Sequence, residues 1–127
     1  MDTSALVAAL VGDHEHHTVS RPHLSRDLRL PAIVLAETYA QLRRTFGQSA
    51  ATASAVLRPW ASRALPTTSE AVATVFARAV ELDLAGNIHD ALIAEVCADE
   101  GVPIVTLDRR QHRLALALGA KSTYLLA

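Results

Sequence analysis

Val102-Pro103-Ile104-Val105-Thr106-Leu107-Asp108 is an apolar run that ends on a carboxylate. A continuous run of this kind is typical of a strand that is buried on both faces, as strands of parallel sheets are. Two further strands are predicted, a short one at residues 28–30 and a last one at residues 122–126. Because these strands alternate with helical patterns, the sequence predicts an α/β fold, with a parallel β-sheet flanked by helices on both faces.

Helical patterns fill most of the remaining chain. Pro31 begins a long helix at the position that proline prefers, and Ser69 and Asn87 are typical helix caps. Gly101 ends the helix that Asn87 begins. The long helix carries apolar residues at helical spacing, which predict its buried stripe: Leu35, Tyr39, Leu42 and Phe46. The predicted helices span residues 4–12, a weak segment to about 24, 31–46, 49–61, 69–84, 87–100 and 109–118.

The size and charge of the chain indicate one folded domain over residues 1–127. The formal net charge of −1 excludes a global basic field of the kind that binds nucleic acid non-specifically. No stretch approaches the roughly twenty apolar residues of a membrane span, and no signal peptide is recognisable. We therefore expect a cytoplasmic protein without a membrane partner, and we interpret the single Cys97 as a buried core thiol.

Four carboxylates stand beside apolar residues, where a folded protein normally avoids negative charge. Asp2 precedes the apolar residues 5–11, Glu37 interrupts the apolar face of the long helix, and Asp90 precedes Ala91-Leu92-Ile93-Ala94. Asp108 follows the buried strand, and ligands of parallel sheets bind beyond the carboxyl ends of strands. A shared cation would offset these charges, and carboxylate oxygens favour a hard ion such as Mg²⁺ or Mn²⁺.

Each of these acids also has a structural interpretation. Asp2 and Asp108 can cap the helices that follow them, and Asp90 lies in a first turn where the helix dipole favours acids. Glu37 lies about two turns inside a helix and has no such explanation. The set predicts metal-assisted hydrolysis of a phosphodiester, because a divalent ion removes the repulsion and activates water.

In series, four blocks of sequence resemble those of PIN-domain nucleases, and most closely the VapC-type toxins of bacterial toxin–antitoxin pairs. The blocks cover essentially the whole chain in the expected order: Asp2-Thr3-Ser4-Ala5-Leu6-Val7, Leu35-Ala36-Glu37, His89-Asp90-Ala91-Leu92-Ile93-Ala94 and Leu107-Asp108-Arg109-Arg110. The resemblance implies a Mg²⁺- or Mn²⁺-dependent endoribonuclease that forms a homodimer and is inhibited by a VapB-type antitoxin. One departure is that a single residue, Met1, precedes the first Asp, where family members usually have several apolar residues.

The resemblance also implies roles for individual residues. Asp2 and Asp90 would be the most direct metal ligands, and Glu37 and Asp108 would complete the acidic pocket. The hydroxyl groups that would hydrogen-bond these carboxylates are those of Thr3, Ser4 and Thr106.

Arginines outnumber lysines, since Lys121 is the only lysine among twelve basic residues. Arginine suits phosphate recognition, so five arginines near the acids are candidates for RNA binding, with a solvated face as the alternative: Arg43, Arg44, Arg109, Arg110 and Arg113. The segment His14-Glu15-His16-His17 has no metal-ligand spacing and is interpreted as a solvated loop. His89 keeps either a surface or a site role, and Trp60 is interpreted as a packing residue rather than a base-stacking one.

Other functions compete with the nuclease. A phosphatase or phosphoryl-accepting domain also places Asp at strand ends. Such a site generally needs a second Asp two residues from the first and a Lys late in the chain, and Thr3-Ser4 and Lys121 fit this requirement poorly. A non-toxin PIN nuclease, a silent PIN module that only binds RNA or protein, and a histidine-based ribonuclease remain open. A chelator separates the histidine-based enzyme from the metal-dependent one.

Overall fold

The computed structural model describes all residues, 1–127, as an α/β fold of seven α-helices, one short 3-10 helix and two parallel strands. The α-helices are α1 (Thr3–Leu10), α2 (His17–Ser20), α3 (Ala32–Arg44), α4 (Ala50–Ala61), α5 (Ser69–Ala77), α6 (Ile88–Glu100) and α7 (Arg109–Ala117). The strands are β1 (Ile104–Thr106) and β2 (Ser122–Tyr124), and the 3-10 helix is Arg21–His23. The predicted fold class is confirmed, and no helix has the length and apolarity needed to cross a membrane.

The sheet is small and is extended by the start of the chain. β1 and β2 pair in parallel, with Val105 in register with Thr123. The amide of Asp2 donates to the carbonyl of Val105 at 3.0 Å, so residues 1–2 run beside β1 without forming a named strand. Helix α7 packs on both strands and α1 packs on β1. This packing brings the start of α1 next to the end of β1.

The core consists of two main clusters of buried side chains. One joins α1, α3 and α4 around Leu6, Val34 and Trp60. The other joins α6, α7 and β1 around Ala94 and Ile104. Cys97 belongs to the second cluster, which confirms its interpretation as a buried core thiol, and burial raises the pKa of this thiol to about 11.

The expected strand at residues 28–30 is wrong. Only a single parallel bridge forms there, between Pro31 and Leu65. The amide of Leu65 donates to the carbonyl of Leu30, and the carbonyl of Leu65 accepts from Ala32. Pro31 has no amide hydrogen and Ala32 already begins α3, so the ladder cannot continue.

Several predicted helix boundaries are also wrong. The helix from residue 69 was expected to reach 84, but it ends at Ala77 and a series of turns follows, in which Asp83 has a positive φ of 50°. The left-handed backbone at Asp83 cannot continue a right-handed helix. The weak segment before residue 24 is divided into α2 and the 3-10 helix, because Pro22 cannot donate within an α-helix.

The buried face of α3 is rotated by one residue from the predicted stripe. Its fully buried residues are Val34, Thr38 and Leu42, whereas Leu35 and Tyr39 are only partly buried. Residues at i, i+4 and i+8 lie along one helix face, so the stripe is helical as predicted but turned slightly. Glu37 lies beside this face, half-exposed.

Candidate active site

Asp2 is held by three hydrogen bonds from two elements. It caps α1, with Oδ1 accepting from the amide of Ala5 at 3.0 Å and from the hydroxyl of Ser4 at 2.8 Å. The hydroxyl of Thr106, at the end of β1, donates to Oδ2 at 2.5 Å. Asp2 is 5% exposed, so these donors replace the water that burial removes. Asp2 therefore caps α1 and also belongs to a buried polar network.

Glu37 connects α3 to the start of α1. The hydroxyl of Thr3 donates to Glu37 Oε1 at 2.7 Å. Thr3 is itself nearly buried, so this contact fixes one carboxylate oxygen at the base of α1. The side chains of Asp2 and Glu37 therefore approach the same end of α1 from different elements.

Asp108 begins α7 as its cap. Its Oδ1 accepts from the amides of Arg110, at 2.8 Å, and Gln111, at 3.4 Å. The amide of Asp108 donates to the hydroxyl oxygen of Thr106 at 2.9 Å, so one threonine contacts both Asp2 and Asp108. The β1–α7 junction thus sets the distance between these two acids.

Asp90 lies in the first turn of α6 and is held differently. Its side chain accepts no hydrogen bond from the protein, whereas its carbonyl oxygen accepts from the buried side-chain amide of Gln111 at 3.2 Å. Gln111 belongs to the first turn of α7, where its backbone amide faces Asp108. One residue therefore links the segments that carry Asp90 and Asp108.

All four acids line one cavity of about 390 Å³. The polar lining includes the hydroxyls of Thr3 and Ser4, and the remaining walls come from α3 and from the turn after α1. The full set is Asp2, Thr3, Ser4, Val7, His14, His16, Glu37, Gln41, Asp90, Leu107 and Asp108.

The environment of this cavity disfavours the ionised forms of Asp2 and Asp90. Burial raises the pKa of Asp2, although its three hydrogen bonds and the nearby α-amino group act in the opposite direction. The pKa of Asp90 is raised to about 6, first by burial and then by the negative charges of Asp108, Asp2 and Glu37. Like charges in a partly desolvated site disfavour one another's ionised forms. A positive charge in this cavity would relieve that repulsion.

The donor set suits a divalent cation in kind, because carboxylate oxygens are the ligands that Mg²⁺ and Mn²⁺ prefer. No three His, Cys, Asp or Glu side chains are grouped closely enough to hold one ion in the present arrangement. A common coordination point therefore requires the carboxylates to move closer together than they are in this arrangement. Asp90 has no hydrogen bond from the protein to break in doing so.

None of the five candidate arginines lines the cavity itself, so their role in RNA binding stays a prediction. Arg110 lines a neighbouring depression of about 450 Å³ that shares Asp90 with the cavity, and Arg113 lines the next one. The guanidinium of Arg109 lies 5.6 Å from the ring centre of Tyr124 instead. The remaining two lie on the last turn of α3: Arg43, which donates to the carbonyl of Gln48, and Arg44, which is exposed.

The interpretation of residues 14–17 as a solvated loop is wrong for three of the four residues. His14 and His16 are half-buried and line the acidic cavity, and His17 is half-buried and begins α2. Gln41 also lines it and is not among the predicted site residues. The one available signal was the density of histidines directly after the helix that Asp2 caps. Trp60 is buried and donates to the carbonyl of Ser25, which confirms its packing role.

The family model of the PIN domain matches residues 1–116. The chain therefore belongs to the PIN domain family, whose members are typically metal-dependent nucleases that hydrolyse phosphodiester bonds. No curated protein and no solved structure matches the chain significantly.

Proposed function

We propose that this protein is a Mg²⁺- or Mn²⁺-dependent endoribonuclease that acts as the toxin of a type II toxin–antitoxin pair. The observation that carries the nuclease is the convergence of four carboxylates on one cavity from α1, α3, α6 and the β1–α7 junction. Three of them raise the pKa of the fourth, Asp90, so the group is near enough to act as one electrostatic unit.

Asp2 and Asp90 are the residues that we assign to direct metal binding, with Glu37 and Asp108 completing the ligand set. A divalent ion bound there would lower the pKa of a water molecule and neutralise charge on the phosphate. Thr106 and Ser4 hold both oxygens of Asp2 in place, which orients that carboxylate before any ligand arrives. Thr3 does the same for Glu37.

The surface beside Asp90 supports a polyanionic substrate. The depression that contains Asp90 also contains Arg110, and the adjoining one contains Arg110 and Arg113. A nucleic acid strand placed along these depressions would meet cations immediately outside the acidic centre. Guanidinium groups suit this role because they bind phosphate oxygens in pairs.

The decisive experiment measures cleavage of single-stranded RNA by the purified chain in Mg²⁺ or Mn²⁺. We expect activity that EDTA abolishes, and products with 5′-phosphate and 3′-hydroxyl ends, because water attacks rather than the ribose 2′-hydroxyl. Asp90→Asn should abolish cleavage while the fold survives. The exposed Asp27→Asn is the matched control and should cleave as the wild type does.

Other results would contradict the proposal. Activity that persists in EDTA, or products with 2′,3′-cyclic phosphate ends, would indicate a histidine-based ribonuclease. RNA or protein binding without any cleavage would indicate a silent PIN module. Hydrolysis of phosphomonoesters alone would indicate a phosphatase.

The toxin role, the VapB-type antitoxin, the homodimer and a cytoplasmic site of action rest on the resemblance of the four sequence blocks to VapC-type proteins. The acidic cavity supports an antitoxin that inserts a basic side chain, since opposite charges would pair there. Induced expression in bacteria should arrest growth, and co-expression of the neighbouring open reading frame should restore it. Growth without arrest, with active purified enzyme, would indicate a housekeeping nuclease.

A further inference from the structure

The turn between α1 and α2 forms one wall of the acidic cavity. His14 and His16 both line it, with ring centres 5.8 Å apart, and neither lies on an element that carries one of the four acids. Neither residue has a role in holding a divalent ion under the proposed function. Two half-buried imidazoles in a cavity of carboxylates require a separate explanation.

This turn has a definite backbone arrangement. The imidazole Nδ1 of His17 lies 2.9 Å from the carbonyl oxygen of Ala8, which ties the turn to the helix that Asp2 caps. The amide of His14 donates to the carbonyl of Val11, and the ring of His14 lies 6.4 Å from that of Phe46. The His14 imidazole therefore lies beside Phe46, and Nε2 of the His16 imidazole lies 3.5 Å from the exposed Glu15 carboxylate.

Hydrogen bonding determines what His14 can offer a ligand. The amide of His16 donates to Nδ1 of His14 at 3.1 Å. A ring nitrogen that accepts carries no proton, so the neutral His14 ring bears its hydrogen on Nε2. The neutral His14 ring can thus donate a hydrogen bond to a ligand through its Nε2–H.

Hydrogen-bond donors of this kind are scarce in the cavity. Among its lining side chains, only those of His14, His16 and Gln41 carry N–H groups, whereas four carry carboxylates. An RNA strand brings one negative charge with each phosphate, and the four carboxylates repel the phosphates that flank the cleaved one. N–H donors on one wall offer those oxygens a partner that the acids cannot.

We propose that His14 and His16 bind a non-bridging oxygen of the RNA phosphate next to the one that is cleaved. This inference rests on the proposed ribonuclease function and deepens it, since it names the turn after α1 as the element that positions the strand. Gln41, on α3, lines the same cavity and carries the remaining side-chain N–H donor.

The first test compares cleavage kinetics of the wild type with a double variant, His14→Ala/His16→Ala. Each lost hydrogen bond contributes a factor of about 2 to 13, so we expect KM to rise about tenfold and kcat to change by less than about twofold. His23→Ala is the matched control, because His23 is exposed in the 3-10 helix and lines no cavity. An unchanged KM in the double variant, with an intact melting temperature, overturns the proposal.

Conservative variants distinguish the chemistry of the contact. His14→Gln keeps an N–H near the position of Nε2, and His14→Phe keeps the aromatic ring alone. Retained affinity in the glutamine variant with loss in the phenylalanine variant supports phosphate binding. The reverse pattern indicates base stacking and overturns it. A fall in Mn²⁺ affinity in the double variant indicates a metal ligand and also overturns it.

A binding experiment separates this proposal from the nuclease itself. Affinity for a short single-stranded RNA is measured in an Asp90→Asn background, which needs no cleavage. The RNA carries a single uncharged methylphosphonate at successive positions. We expect one position to weaken binding to the protein with both histidines and to have no further effect on the double variant. Equal losses in both proteins at every position refute the histidine contact, whether or not the wild type cleaves RNA.

Discussion

Two walls of the acidic cavity hold their carboxylates in opposite ways. The Asp2 wall consists of Asp2, Ser4 and Thr106, and its carboxylate accepts hydrogen bonds at both oxygens. The Asp90 wall consists of Asp90 and Gln111, and its carboxylate accepts none while its backbone carbonyl is held. Asp2 is 5% exposed, whereas Asp90 is half-exposed and faces the charges of the other three acids.

This difference separates two physical roles within one site. On the Asp2 wall, geometry depends on neutral donors, so removing a donor should disturb both the fold and the position of the carboxylate. On the Asp90 wall, ionisation depends on the surrounding charges, so pH and bound cations should have the larger effect. Variants that act on one wall only can test the distinction.

The largest effect is expected for Thr106→Val on the Asp2 wall. Valine fills the same buried space but leaves Asp2 Oδ2 and the amide of Asp108 without the hydroxyl that both contact. A buried group left unsatisfied costs about 1–3 kcal/mol, so the free energy of unfolding should fall by about that amount. RNA cleavage should fall by about 10- to 100-fold, as it does when a group that orients a metal ligand is removed.

Thr123→Val is the matched control for this variant. Thr123 lies on the neighbouring strand, is exposed and accepts or donates no side-chain hydrogen bond. Its unfolding free energy should stay within about 0.5 kcal/mol of the wild type. Equal stability and cleavage in Thr106→Val and Thr123→Val would show that the Asp2 wall does not depend on the hydroxyl.

The Asp2 wall could be predicted in outline because its signals are local. An Asp before a helical run is a cap, and an apolar strand that ends in Thr-Leu-Asp places polar groups at a sheet edge. The helix ends marked by Asn87 and Gly101 were predicted for the same reason. The family and the fold class both follow from these local patterns taken in series.

The rest depends on tertiary contacts without a local pattern. Gln111 lies within Arg109-Arg110-Gln111-His112-Arg113, which reads as a solvated surface, yet it is 1% exposed because α7 packs on α6. The turn that carries His14 and His16 reaches the cavity through the contact of His17 with Ala8. Neither contact can be predicted from the spacing of residues in the sequence.

An intermediate effect is expected from pH on the Asp90 wall. The pKa of Asp90 rises from 3.8 to about 6 on folding, so the folded state binds this proton more tightly than the unfolded chain does. Stability from this group is therefore present at low pH and is lost as pH rises through the window from about 4 to about 6. In EDTA, the unfolding free energy of Asp90→Asn should fall less steeply across this window than that of the wild type.

Denaturant unfolding at a series of pH values measures this slope. Asp2 and Glu95 also have raised pKa values, so part of the decline should persist in the variant. Asp27→Asn, at an exposed site, should keep the wild-type slope. Divalent metal should flatten the wild-type decline within this window, because a bound cation favours the ionised carboxylates. Parallel slopes for wild type and Asp90→Asn would remove the electrostatic distinction between the walls.

The smallest change in stability is expected for Gln111→Met, which affects the Asp90 wall through its backbone. Gln111 Oε1 is buried without a partner, so methionine removes one hydrogen bond and one unsatisfied acceptor together. These two changes oppose each other, and the unfolding free energy should shift by less than about 1 kcal/mol. Cleavage should nevertheless fall by about tenfold, since Asp90 loses the contact that joins it to α7. If Gln111→Met lost stability as Thr106→Val does, both walls would rest on buried hydrogen bonds, and the contrast between them would be one of charge alone.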